Sequence, residues 1–133
     1  MAYVVAYAVA LVVFVAIDVA YLTSFGAKHF KETLGDIIAA DLRIGPAIVF
    51  YLGFPAGLAL FAVAPGLRDG SVLTAALYGA LFGLFTYGTY DLTNYATLRN
   101  WTLGLTLLDM AYGAAIAGLT AAVAWLVAVR WIT

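Results

Sequence analysis

Three aspartates, Asp18, Asp91 and Asp109, lie inside long apolar runs of a 133-residue chain that is 66% hydrophobic and only 10% charged. An aspartate near the middle of a membrane-crossing helix costs roughly 2.5–3.5 kcal/mol on insertion scales, so keeping three of them needs a reason. Carboxyl groups in such surroundings can serve as general acid and base, hold a divalent cation through oxygen, or pass protons across a bilayer. Other polar side chains recur with them at helical spacing. Tyr87, Asp91, Asn94 and Tyr95 share one face, with Thr93 and Thr97 nearby. Thr102, Thr106, Asp109 and Gly113 form a comparable stripe, and Phe14, Asp18 and Tyr21 a third. The candidate polar pocket is therefore Asp18, Tyr87, Asp91, Thr93, Asn94, Asp109 and Tyr112. Arg99 is the natural counter-charge, either snorkelling to the interface or turning inward toward Asp91 or Asp109.

Other chemistries have less to stand on. The chain has no cysteine, which excludes disulfides, thiolate catalysis, iron–sulfur ligation and Cys-based zinc sites. Its single histidine, His29, sits between Lys28 and Phe30 in a polar segment, where a solvated surface role is expected ahead of metal binding or proton carriage. Closely spaced Asp-x-x-Asp pairs, as magnesium-dependent intramembrane phosphotransferases use, are missing, and so are the histidine clusters of diiron desaturases. No cofactor is predicted, and a metal is left open. With a net charge of −1 the chain offers no extended basic face, so nucleic acid is not an expected partner.

The elements that must position these acids are transmembrane helices. A chain this apolar lacks the polar residues to cover a soluble surface. Four stretches approach the ~20 apolar residues that span ~30 Å of hydrocarbon: about 3–23, 44–64, 71–98 and 101–125. The first is read as a retained span and not a signal peptide, since no Lys or Arg precedes it. Pro55 predicts a kink in the second span, Pro65-Gly66 its end, and Ser71 an N-cap for the third. Residues 24–43 pattern as an amphipathic connector, with Phe30, Leu34, Ile37 and Ile38 on one side and Lys28, Lys31, Glu32 and Asp36 on others. Trp101, Trp125 and Trp131 fall near span ends, where indoles anchor to headgroups. The expected fold class is an all-α integral membrane protein: a single up-and-down bundle of four transmembrane helices with an amphipathic connector after the first.

Topology brings the acids together. Asp18 lies roughly 8 Å below the face where span one ends, and Asp91 is similarly placed in span three. Asp109 lies roughly 10–12 Å into span four, which starts at that same face. All three thus share one leaflet. Lys28, Lys31, Arg43 and Arg99 belong to the connector side and Arg68 and Arg130 to the other, so the positive-inside rule puts the connector in the cytoplasm.

Several stretches resemble a known family. Tyr87-Gly-Thr-Tyr-Asp-Leu-Thr-Asn-Tyr-Ala-Thr-Leu98, followed by Arg99, Asn100 and Trp101, is similar to the signature of an uncharacterised bacterial membrane family, domain of unknown function 2177. Phe50-Tyr51, Phe61-Ala-Val-Ala-Pro65 and Asp109-Met-Ala-Tyr-Gly113 add to the likeness, which extends over essentially the whole chain. The family pattern commonly has tryptophan where this chain has Tyr21 and Tyr112, a change that keeps the ring and adds a hydroxyl. The resemblance implies a compact four-helix protein of a bacterial inner membrane whose motif contains Asp91, Thr93 and Asn94. It implies no established activity.

The expected function is a one-leaflet carboxylate pocket that binds or processes a small amphiphile or lipid, with membrane lipids as surroundings and catalysis left open. One alternative is a proton-coupled small transporter, which would need a homodimer, with glycine-rich faces such as Gly79 and Gly83 as contact. The other is a non-catalytic membrane subunit whose aspartates only bond neighbouring helices, worth ~0.6 kcal/mol each on average.

Overall fold

The computed structural model describes residues 1–132, and every regular element among them is helical. Four helices are long and apolar enough to cross a membrane: α1 (Ala2–Ile37), α2 (Ile44–Asp69), α3 (Val72–Thr97) and α4 (Leu103–Trp131). Large apolar side chains point outward along them. Val12, Val49, Leu60 and Phe85 are each more than half exposed, which in water would be an aggregating surface and in lipid is an ordinary one.

Helix α1 continues past the end of its apolar run. A π-turn over Leu22–Gly26 carries it into the amphipathic stretch Ala27–Leu34, and a 3-10 turn over Gly35–Ile37 closes it. The polar residues at the junction do not cap the helix. Thr23 Oγ1 bonds back to the Val19 carbonyl at 2.8 Å and Ser24 Oγ to the Ala20 carbonyl at 2.6 Å, so their hydroxyls are spent inside the helix. Glycine is required at Gly26, where a Cβ would lie 2.5 Å from the Tyr21 ring. The amphipathic segment is thus the last turns of α1, and only the short stretch between Ile37 and Ile44 links it to α2.

Helix α2 likewise runs on through both internal prolines. Pro55 brings no N–H, which leaves the Tyr51 carbonyl without its usual partner, and a π-turn occupies Ala59–Val63. Tyr7 of α1 donates its hydroxyl to the Leu52 carbonyl at 2.9 Å, beside that interruption. Pro65 falls in the first turn after the π-turn, where the hydrogen-bond ladder is already changing register, so the helix continues to Asp69. It ends at Gly70, whose φ of 65° suits glycine. Ser71 then caps α3 by accepting the Thr74 N–H at 3.1 Å, and Thr102 caps α4 by accepting that of Leu105 at 3.0 Å.

The four helices form a closed ring in which α1 packs on α2 and α4, and α3 packs on α2 and α4. The core is built of small residues and a few large ones: Ala6, Ala10 and Phe14 of α1, Leu58 and Ala62 of α2, Ala117 and Ala121 of α4. The closest approach is between α3 and α4. A Cβ at Gly83 would lie 2.1 Å from the Gly113 carbonyl oxygen, and one at Gly79 2.7 Å from that of Ala117. These glycine faces are occupied within the chain itself, because close packing is the main attraction between helices in lipid. Trp101 also departs from its expected headgroup role. Its indole is 3% exposed and donates to Thr106 Oγ1 at 3.0 Å, tucked against the rings of Phe30 and Tyr90. Trp131 is 52% exposed at the far end of α4.

Candidate functional site

Asp18, Asp91 and Asp109 all lie toward the end of the bundle where α1 passes into its amphipathic extension. Asp18 is buried and held by two hydroxyls from different helices: Tyr51 of α2 donates to Oδ2, and Tyr112 of α4 donates to Oδ1 at 2.8 Å. Three helices meet at this one side chain. A buried carboxylate lost from water needs such donors, and hydrogen bonds to charged acceptors are the stronger kind.

Beside Asp18 is a cavity of about 430 Å³, inside the roughly 300–1,000 Å³ range of small-molecule sites. Asp18 and Asp109 both line it. Eight of its twelve lining residues are aromatic: Tyr21 and Phe30 from α1, Phe50, Tyr51 and Phe54 from α2, Tyr87 and Tyr90 from α3, and Tyr112 from α4. Leu22 and Thr86 complete the wall. The rings brace one another. Tyr21 stacks on Tyr112 with centroids 3.8 Å apart, Tyr87 meets Tyr112 edge-on at 6.1 Å, and Phe54 meets Tyr87 edge-on at 5.9 Å. Phe50 and Tyr90 are 42% and 51% exposed, so the cavity reaches the outer surface of the bundle at those two rings. Phe30, on the extension of α1, covers it from the connector side.

Asp91 stands behind this cavity and does not line it. Its side chain is fully buried beside Asp109 at the α3–α4 contact, and neither of its carboxyl oxygens has a hydrogen-bond partner among the described residues. Asp109, 4% exposed, lines the cavity and neighbours Asp91. Among the described residues no three His, Cys, Asp or Glu side chains come close enough to hold a metal ion. Asp18 and Asp109 thus share the cavity, and Asp91 lies beside Asp109 outside the cavity wall.

The structure distributes the remaining sequence candidates unevenly. Tyr87 and Tyr112 belong to the cavity wall. Thr93 is exposed, and its hydroxyl bonds back to the Thr89 and Tyr90 carbonyls of its own helix. Asn94 is half-buried one turn beyond Asp91 and is not among the lining residues. Arg99 is exposed and lines a separate hollow with Ile37, Thr97, Leu98 and Asn100. It does not turn inward, because the helix ends at Thr97 and the chain leaves the bundle at this point. Tyr51 is the one polar ring that the sequence offers from span two near the acids' face, whereas spacing alone does not mark Tyr90, Phe50, Phe54 and Phe30 as pocket residues. The one signal for them in the sequence is aromatic enrichment at the acids' own depth.

A family model described as a predicted membrane protein family, DUF2177, matches residues 3–126. The chain belongs to that family. The match takes in all three aspartates and every residue that lines the cavity, so the site lies within the DUF2177 unit and not in an appended segment. No curated protein and no solved structure matches the chain. The DUF2177 match establishes a membrane protein; it carries no reaction, ligand or partner.

Proposed function

We propose that this protein binds a small amphiphile, with the polar head between Asp18 and Asp109 and the apolar part against the aromatic wall, reaching lipid past Phe50 and Tyr90. The observation that carries the reading is one cavity of about 430 Å³ that combines two buried carboxyl groups with eight aromatic rings and a rim at the bundle surface. A head that hydrogen-bonds Asp109 and a tail that leaves laterally would satisfy both halves. The helical spans and the family likeness suit a bacterial inner membrane, with the connector side facing the cytoplasm.

The test is to extract the protein from its own membranes and measure retained small molecules by native mass spectrometry, alongside a Thr86→Trp variant that fills the cavity. Wild type is expected to carry about one amphiphile per chain, lost in the variant. Equal retention in both would overturn the reading.

A second reading, a proton-coupled carrier, draws on one specific feature, the Asp91–Asp109 pair. Two neighbouring buried carboxyl groups, one of them without a hydrogen-bond partner among the described residues, can store and pass a proton. Proton flux into proteoliposomes that vanishes in Asp91→Asn would favour it, and flux unchanged by that substitution would remove it.

A further inference from the structure

We infer that the head recognised in this cavity is an organic cation, an alkylammonium, in preference to an anion, a neutral polar head or a metal ion. The inference rests on the amphiphile reading above and deepens it.

Asp109 is only 4% exposed, lines the cavity, and accepts no hydrogen bond from a hydroxyl, amide or basic side chain among the described residues. The carboxyl group set against it within the protein is another acid, Asp91. Asp18 differs, since Tyr51 and Tyr112 already supply its donors. Among the described residues neither acid has a basic side chain beside it on the cavity wall. Lys28, Lys31, Arg43, Arg68, Arg99 and Arg130 lie outside the cavity wall, and so does His29. A carboxyl group at this depth either keeps its proton or is balanced by a positive group, and with no basic side chain on the wall only a ligand can supply that charge.

The wall points the same way. Aromatic faces carry negative electrostatic potential and attract cations placed over them, most strongly where water is excluded. Tyr21 and Tyr112 cover one face of each other by stacking, and with Tyr87 and Tyr90 they bring four tyrosine rings from three helices to the cavity that the two acids line. An anionic head would meet two carboxyl groups and no basic residue. A bare metal ion would need a denser set of hard ligands than these separated acids provide. The cavity has the parts of an ammonium site: acids for charge, rings for the alkyl groups on nitrogen, and an apolar exit for a tail.

The test uses the whole chain in maltoside micelles and three probes with the same ten-carbon tail: decyltrimethylammonium, decanol and decyl sulfate. Binding is measured by equilibrium dialysis and corrected with the cavity-filled Thr86→Trp variant. The expected result is saturable binding of decyltrimethylammonium at least tenfold tighter than that of either other probe. Asp109→Asn is expected to weaken the cation at least tenfold and leave decanol unchanged. Tyr90→Leu, at a half-exposed rim position and with its fold checked by helical circular dichroism, is expected to weaken the cation several-fold and decides the matter if the Asp109 variant does not fold. Decanol or decyl sulfate binding as tightly, and with the same sensitivity to Thr86→Trp, overturns the cation inference and leaves the amphiphile reading standing. No saturable binding of any probe to protein with intact helical circular dichroism overturns both.

Discussion

Tyr112 of α4 donates its hydroxyl to Asp18 of α1 at 2.8 Å, joining side chains 94 positions apart. Tyr51 supplies the second donor from α2. Bonds of this kind between helices in a membrane are worth ~0.6 kcal/mol on average and up to ~1.7. Tyr112→Phe keeps the ring stacked on Tyr21 and removes only the donor, so it is expected to cost about 1 kcal/mol. Tyr51→Phe should behave alike. Together they leave Asp18 without a donor, and the double variant is expected to lose more than the sum of the singles. Reversible unfolding in mixed micelles measures this, and a double variant no worse than either single would show that the hydroxyls do not hold Asp18.

The α3–α4 contact depends on two missing side chains. At Gly83 an added Cβ would meet the Gly113 carbonyl at 2.1 Å, and at Gly113 it would meet the Tyr87 ring at 2.2 Å, whereas at Gly53 it meets nothing within 4 Å. Gly83→Ala is expected to lower stability by about 1–3 kcal/mol through overpacking. Gly53→Ala should be neutral or slightly stabilising, as alanine favours a helix over glycine. Thermal unfolding of the two variants side by side checks the contrast; equal midpoints would contradict the packing described.

Asp91 gives a different expectation. Neither of its carboxyl oxygens has a hydrogen-bond partner among the described residues and the acid beside it is Asp109, so an amide in its place keeps the shape and offers an N–H toward that group. Asp91→Asn should therefore change stability by less than about 0.5 kcal/mol or raise it. Asp91→Ala opens a void against Asp109 and should cost about 1–3 kcal/mol. Unfolding midpoints for the two variants report the difference. An Asn variant as damaged as the Ala variant would mean that Asp91 has a partner requiring a full carboxylate.

Orientation can be measured cleanly because the chain has no cysteine of its own. Single cysteines at Lys31 and Arg99 are expected to be protected from a membrane-impermeant maleimide in intact cells with the outer membrane permeabilised. A cysteine at Arg68, at the opposite end of the bundle, should react. Labelling at Lys31 and protection at Arg68 would reverse the assignment.

The class of protein, the number of crossings and the common depth of the acids are legible in the sequence. They come from local quantities: apolar length against bilayer thickness, short links that force antiparallel neighbours, and a fixed rise per residue. Residue-by-residue spacing also places Tyr87 and Asp91 near each other along α3. It does not show how each helix is rotated about its axis or how far it slides against its neighbour. The assembled bundle is what gives Asp18 its two tyrosines, sets Asp91 behind Asp109 instead of beside the cavity, and leaves Arg99 outside. It also sends the hydroxyl of Thr93 back to its own backbone and turns Trp101 inward under Phe30 and Tyr90. Rotation is poorly encoded here because lipid is as apolar as a leucine side chain, so no stripe of polar residues marks the outside of a helix as water would. The choice is made by close packing at Gly79, Gly83 and Gly113 and by hydrogen bonds between residues distant in the chain, and both exist only once the helices have met.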